Sequence, residues 1–316
     1  MCEKSVSEST AGVASVAGES SASAAAPAQP SAPVVAVVLA AGFGTRFDPD
    51  NPKQLVSVEN KPIVQWSLEV FEHNPGVTDI VVVVNPKVRA TVERLLDECD
   101  FGKVRAVVDG GRERSDSTQI ALQLLADVGI PDQAKVLIHD AVRPFVEQKA
   151  VYGCIEALDQ FEAATVAMPS TDTVLLTQDL GDRKVIASVP ERPDTFRAQT
   201  PQAFRFATIR KAYAAAANDP DFHPTDDTRV VVDYLPDVPV AIVAGAETNL
   251  KITTLADIPV AEGIARARRE AEANDAELWR NRMHAVLNDA AARRSSGRMG
   301  ASTPGEGLGL GLPPLV

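Results

Sequence analysis

With 316 residues, 45% of them hydrophobic and 23% charged, the chain has enough material for one large α/β domain or two small ones. A net charge of −12 argues against a nucleic-acid-binding surface, because a phosphate backbone would be repelled overall. No apolar run is long enough to span a bilayer and no basic-then-apolar leader opens the sequence; three widely spaced cysteines fit a reducing compartment, and a cytoplasmic location is expected.

Residues 1–33 are rich in Ala, Ser, Pro and Gly and poor in large apolar groups, and they read as a disordered tail. Val34–Leu39 is a β-branched run of the kind that is buried on both faces of a parallel sheet. A helix is expected over Ile63–Phe71, a strand over Ile80–Val84, a helix over Val88–Leu96 and a strand over Val104–Val108. The rhythm continues with a helix over Ser117–Val128, a strand over Lys135–His139, a helix over Val151–Phe161 and a strand over Ala164–Met168. It then breaks. Thr173–Thr177 and Val185–Val189, with Gly181 and Asp182 between them, read as a projecting hairpin, a β-arm over about residues 170–193, and Pro190, Pro193 and Pro201 stiffen the return. Helical spacing resumes over Phe204–Ala217. Thr225-Asp226-Asp227 signals a helix start before Val230–Tyr234, Val238–Ala244 is a late strand, and a final helix opens near Leu255. The expected fold is a mostly parallel, Rossmann-like sheet with helices on both faces over residues 34–268, with a helical extension and a disordered tail over 269–316. Cys2, Cys99 and Cys154 are too far apart to suggest a metal or redox pair, and His73, His223 and His284 lack ligand spacing.

Polar signals collect where the strands end, which is where such sheets bind ligands. The first strand runs into Ala40-Ala41-Gly42-Phe43-Gly44, a small-residue loop that exposes backbone donors, followed by Arg46 and Lys53. Two cations beside a row of N–H groups suit a polyphosphate; the plainer alternative is a turn with two solvated charges. The third strand ends in Gly110-Gly111-Arg112-Glu113-Arg114-Ser115-Asp116-Ser117, a turn into a helix whose serines either hold a base, ribose or phosphate or simply cap the helix. The fourth ends in His139-Asp140-Ala141-Val142-Arg143. Asp140 and Arg143 are suited to Mg²⁺, a sugar hydroxyl or an anion, or alternatively to a structural ion pair, and His139 reads as a packed histidine.

Leu39–Phe47 (LAAGFGTRF), Pro52–Gln54, Gly110–Ser117, Val136–Pro144 (VLIHDAVRP), Asp172–Thr173, Thr200–Gln202, Thr225–Asp227 and Asn249–Thr253 (NLKIT) together resemble the 2-C-methyl-D-erythritol 4-phosphate cytidylyltransferase family, in order over residues 34–265. The resemblance implies transfer of CMP from CTP to methylerythritol phosphate with Mg²⁺ as cofactor, in a homodimer whose arms reach into each other's sites. Carried over by position, Ala40, Ala41, Gly42, Gly44, Gly111, Ser117, Asp140 and Ala141 would hold CTP. Arg46 and Lys53 would stabilise the transition state, with Arg192 and Lys251 completing the catalytic set. Asp140, Arg143, Thr173, Arg192, Thr225 and Lys251 would hold the acceptor, and Asp140 is a candidate metal ligand. Arg112 stands where an acidic residue can help read the base, and Asp227 where a longer Glu can occur. A ribitol 5-phosphate cytidylyltransferase shares the nucleotide half and is the alternative. A dinucleotide-dependent oxidoreductase fits less well, because the first loop lacks a third glycine. A catalytically dead nucleotide sensor is disfavoured by the presence of both Arg46 and Lys53.

Overall fold

The computed structural model describes residues 32–42 and 52–296, with side chains as far as residue 288. The expected terminal tails, Gly44 and Arg46 lie outside the described residues. In chain order the strands are β1 (Val34–Ala40), β2 (Ser57–Val58), β3 (Lys61–Pro62), β4 (Asp79–Val84), β5 (Val104–Asp109), β6 (Lys135–Asp140), β7 (Ala163–Pro169), β8 (Leu176–Asp179), β9 (Lys184–Ser188), β10 (Phe196–Arg205) and β11 (Val240–Ala244). The helices are α1 (Ile63–Glu72), α2 (Arg89–Cys99), α3 (Arg114–Asp127), α4 (Gln148–Ala157), α5 (Phe206–Ala216), α6 (Asp227–Tyr234) and α7 (Ile258–Ser296).

Seven strands form one sheet in the order β11-β7-β10-β6-β1-β4-β5. Every pairing is parallel except those of β10, which runs antiparallel between β6 and β7. From β1 the chain moves outward to β4 and β5, then crosses back to place β6 on the other side of β1. The order therefore reverses between β1 and β6, and a crevice opens beyond their carboxyl ends. Alternation along β1 divides the core. Val34, Ala36 and Val38 pack under α1, α2 and α4, while Val35, Val37 and Leu39 pack under α3, α5 and α6. Each fully buried large side chain contributes about 1.5–3 kcal/mol, so the strand at the reversal is firmly fixed.

The structure departs from the sequence reading most plainly in the following places. Strand β10 occupies the stretch read as a proline-stiffened return; it accommodates Pro201 at a register shift between Ala198 and Gln202 and takes Phe204 and Arg205 from the expected helix. Helix α3 begins three residues early, at Arg114, because Glu113 is the N-cap and Asp116 reaches back to its backbone, closing a capping box; Ser115 and Ser117 lie inside the helix. Helix α4 lies over Gln148–Ala157, displaced toward the N-terminus from the expected span. The expected hairpin is shorter, β8 with β9, and Thr173 precedes it.

A small hairpin, β2 with β3, turns through Glu59 and Asn60, whose φ angles of 50° and 64° suit a two-residue turn that follows strand twist. Arg266 and Arg269 of α7 both reach the Glu59 carboxylate. Ala261 and Ala265 pack with Val58, Ile63, Phe145 and Ile252, which seats the first part of α7.

Candidate active site at the strand-order reversal

The end of β1 is held open by a side chain from the next segment. Gln54, fully buried in a 3-10 turn, donates from Nε2 to the carbonyls of Ala40 and Gly42, both at 2.6 Å. This fixes Ala40 and Gly42 and brings Lys53 beside them: a Cβ built on Gly42 would lie 4.0 Å from Lys53 Cε. From the other side, Gly110 lets the end of β5 approach, since a Cβ there would fall 2.3 Å from that of Ala41. A Cβ on Gly111 would collide with Asp116 at 2.1 Å.

The start of α3 is satisfied internally. The amides of Arg112 and Glu113 both donate to Asp116 Oδ2 at 3.0 Å, and Gly111 N–H donates to Ser117 Oγ at 3.2 Å. The carboxylates of Glu113 and Asp116 oppose a phosphate at this helix end, which therefore suits a neutral base or ribose better.

Asp140 closes the crevice. Its Oδ1 accepts from Arg114 Nε at 2.9 Å and its Oδ2 lies 2.8 Å from Lys251 Nζ. Burial alone would raise its pKa, but Arg114 and Lys251 outweigh burial and hold the carboxyl well below the usual carboxylate range. Arg114 is anchored at its far end by Asp227, 2.5 Å from Nη1, and Asp227 also accepts from Tyr213 OH at 2.6 Å. Burial opposes the charge of Arg114, but the two carboxylates prevail and keep it above its ordinary value. Its remaining nitrogen, Nη2, is buried without a protein partner among the described residues.

His139 lies beneath this layer, wholly buried. Its Nε2 is 3.1 Å from the Arg143 carbonyl and so carries the proton, while Nδ1, 3.0 Å from Thr200 Oγ1, accepts. Thr200 in turn accepts the Asp140 N–H at 3.2 Å. Burial pushes the imidazole down to about 4, so it is neutral and structural.

Ala41, Gly42, Lys53, Gly111, Ser117, Asp140 and Lys251 thus line one cleft. Gln54 and Arg114 join them without having been singled out from the sequence. Arg114 stood inside a quoted motif, but its partner Asp227 is 113 positions away, and no local pattern links them. Ala40 and Ala141 are interior residues whose carbonyls accept from Gln54 and Ser67. Asp140 and Arg143 do not form the ion pair considered for them: Arg143 donates instead to the carbonyls of Asn249 at 2.8 Å and Ala198 at 3.4 Å. Thr173 and Arg192 meet each other at 3.3 Å near the hairpin base, both exposed, and Thr225 is exposed ahead of α6; none of the three lines the cleft. No group of three or more His, Cys, Asp or Glu side chains placed to hold a metal occurs among the described residues. Asp140 offers one carboxylate, already paired with Arg114 and Lys251, and would suit a Mg²⁺ held mainly by phosphate oxygens and water.

The model of the family described as 2-C-methyl-D-erythritol 4-phosphate cytidylyltransferase matches residues 34–267. The chain belongs to the 2-C-methyl-D-erythritol 4-phosphate cytidylyltransferase family. Relatives carrying that name include one from Bifidobacterium longum, 71% identical over 82% of this chain and 89% of its own length, and one from Thermobifida fusca, 43% identical over 74% of this chain and 93% of its own. A Haemophilus influenzae protein named bifunctional ribulose 5-phosphate reductase/CDP-ribitol pyrophosphorylase is 34% identical over 74% of this chain and 48% of its own length. Among solved structures, 4-diphosphocytidyl-2C-methyl-D-erythritol synthase from Anaerococcus prevotii superposes with a TM-score of 0.64 at 27% identity, covering 74% of this chain and 96% of that one. The cytidylyltransferase fold of these relatives is the mostly parallel sheet described above. No helix among the described residues is long and apolar enough to cross a membrane.

Proposed function

We propose that the chain transfers the CMP moiety of CTP to 2-C-methyl-D-erythritol 4-phosphate, releasing pyrophosphate, as a step of non-mevalonate isoprenoid synthesis. The observation that carries this is the convergence of Lys53, Arg114 and Lys251 on one cleft at the strand-order reversal, beside the end of β1 that Gln54 holds at Ala40 and Gly42.

In this reading the triphosphate lies on the β1 loop, under Lys53 and Arg46. Cytosine and ribose lie toward Gly111 and Ser117, where the self-capped helix end presents hydroxyl and backbone groups rather than spare positive charge. A phosphate oxygen of the acceptor attacks the α-phosphorus in line; the P–O bond to the bridging oxygen breaks, and its electron pair leaves with pyrophosphate. Charge grows on the α-phosphate and bridging oxygens, where fixed cations lower the barrier without forming a bond to the protein. The attacking phosphate is largely dianionic near neutral pH, so no general base is needed. When bound, Mg²⁺ would neutralise triphosphate charge, with Asp140 as its candidate carboxylate. Arg114 Nη2 is a donor available to a ligand oxygen.

The acceptor is assigned to Arg143, Lys251 and, from a second subunit, Thr173 and Arg192. What supports a homodimer with exchanged arms is the hairpin itself. It forms a sheet of its own, and Leu176, Leu180, Ile186 and Val189 are all more than half exposed on or beside it. Thr173 and Arg192 sit at its base, away from the cleft of their own chain. A cytoplasmic location fits the soluble substrates.

Pyrophosphate release with CTP and either methylerythritol phosphate or ribitol 5-phosphate tests the assignment. A preference for ribitol 5-phosphate would overturn the acceptor, and CTP binding without release would overturn the reaction. Mixing inactive Arg192→Ala chains with inactive Lys53→Ala chains tests the exchange: partial recovery is expected, and no recovery after proven subunit exchange would place each site within one chain.

A further inference from the structure

Helix α7 is seated only over its first part. From Arg269 to Asn288 every residue is exposed, although Leu278, Trp279, Met283, Val286 and Leu287 recur there, each 41–64% exposed. Helices of this length draw most of their stability from packing an apolar face, and within the described residues none of these five side chains is buried against another element. Its charges are also divided. After Arg266, Arg268 and Arg269 come Glu270, Glu272, Asp275 and Glu277, followed by Arg280, Arg282 and His284 ahead of Asp289.

The seated part of α7 borders an open groove of about 880 Å³, floored by Trp66, Val70, Val146 and Ile264 and rimmed by Glu69 and Glu147. Arg268, Glu272 and Asp275 lie along the same edge. Positions 268, 272, 275, 279, 282 and 286 are separated alternately by four and three residues and so share one side of the helix.

We propose that this side of α7 binds the same side of α7 from a second copy, running antiparallel about a twofold axis near residue 277. The register follows from the charges. It sets Glu272 opposite Arg282 twice across the axis and lays Val286 and Leu287 over the partner's groove. An antiparallel twofold is the arrangement in which a stretch acidic over residues 270–277 and basic over 280–284 complements itself; a parallel pair would set like charges together. The surface is distinct from the β8–β9 hairpin, so it adds a second, isologous contact to whatever the arms form.

The test is the mass of the full-length protein at about 10 µM, a concentration that reports micromolar association. The unaltered chain is expected to show twice the mass of the Trp279→Glu/Met283→Glu variant. Glu272→Arg and Arg282→Glu, each alone, are expected to weaken association about tenfold or more, and an equimolar mixture of the two to restore it, because both ion pairs re-form in the mixed pair. CTP turnover, measured in parallel, should stay unchanged in all of them and so report an intact fold. A mass unaltered by the Trp279→Glu/Met283→Glu change would overturn the proposal; that is the result if the chain's own residues beyond 296 cover the stripe. Failure of the mixture to re-associate would overturn it as well, since the antiparallel register requires the rescue.

Discussion

The guanidinium of Arg114 and the carboxylate of Asp140 meet at 2.9 Å across the floor of the cleft, and the same guanidinium is held from behind by the buried Asp227 at 2.5 Å. One arginine thus neutralises two buried carboxylates, one lining the cleft and one in the interior. Replacing it with methionine leaves Asp227 buried without its cation, a loss of about 3–5 kcal/mol. Adding Asp227→Asn should recover much of this stability in denaturant unfolding while leaving turnover depressed, because Asp140 still lacks its inner partner. Full recovery of turnover in the double variant would show that Arg114 serves the fold alone.

Lys53 lies beside the β1 loop, near Gly42. Lys53→Ala is expected to lower kcat about 10²-fold or more, the scale for removing one preorganised charge from a developing oxyanion. Steady-state kinetics with CTP varied would separate this from a change in KM; near-normal kcat would remove Lys53 from the chemistry.

The loop also depends on Gln54, whose Nε2 serves two carbonyls at once. Gln54→Leu keeps the approximate bulk and removes the donor, leaving the carbonyls of Ala40 and Gly42 unserved. A loss of about 1–3 kcal/mol is expected by thermal or denaturant unfolding, with CTP binding weakened more than the fold. Titration calorimetry with CTP reads the second effect, and unchanged CTP affinity would contradict it.

The neutral state of His139 makes stability depend on pH in a defined window. Its pKa falls from 6.5 to about 4 on burial, so the unfolded chain binds a proton there that the folded chain refuses. Stability should therefore fall as pH drops from about 6.5 toward 4, by about 3 kcal/mol at the lower end. A His139→Gln variant, weaker overall, should lose this slope. Asp140, with its pKa lowered, gives stability that is present above its ordinary value of 3.8 and lost only at still lower pH, so the two contributions separate. Unfolding midpoints from pH 7 to pH 4 would show the histidine contribution, that of Asp140 being lost only below this range, and a flat profile for the unaltered protein would refute the histidine assignment.

Gly110 gives a purely steric prediction. A methyl there would overlap Ala41 Cβ at 2.3 Å and Ser117 Oγ at 2.8 Å. Gly110→Ala should force the end of β5 away from the β1 loop, costing about 1–3 kcal/mol and widening the nucleotide side of the cleft. Ala41→Gly in the same chain should restore part of both losses, measured by unfolding and CTP binding.

Much of the fold was legible because the strands of a parallel sheet are continuous apolar runs, as in Val34–Leu39 and Ile80–Val84. Strand β10 was not, because Pro201 and the buried Gln199, Thr200 and Gln202 look like loop chemistry; their polar groups are satisfied instead by Asn249, His139 and α6. The start of α3 was misread for a related reason: Glu113 is an uncommon N-cap, and its help comes from Asp116. At the cleft, glycines and lysines announced themselves through local motifs. Arg114 did not, because a cation in the first turn of a helix looks solvated until the fold brings Asp140 and Asp227 to it.

Strand β10 leads directly from the hairpin into the cleft. Ser170 N–H donates to the Thr195 carbonyl at 2.8 Å at the hairpin's root, and five residues further on Thr200 holds the backbone of Asp140. Between them, the carbonyl of Ala198 accepts from Arg143. A tug on the hairpin therefore has a short, stiff lever to the floor of the cleft, and whatever grips that hairpin gains mechanical purchase on the geometry of catalysis.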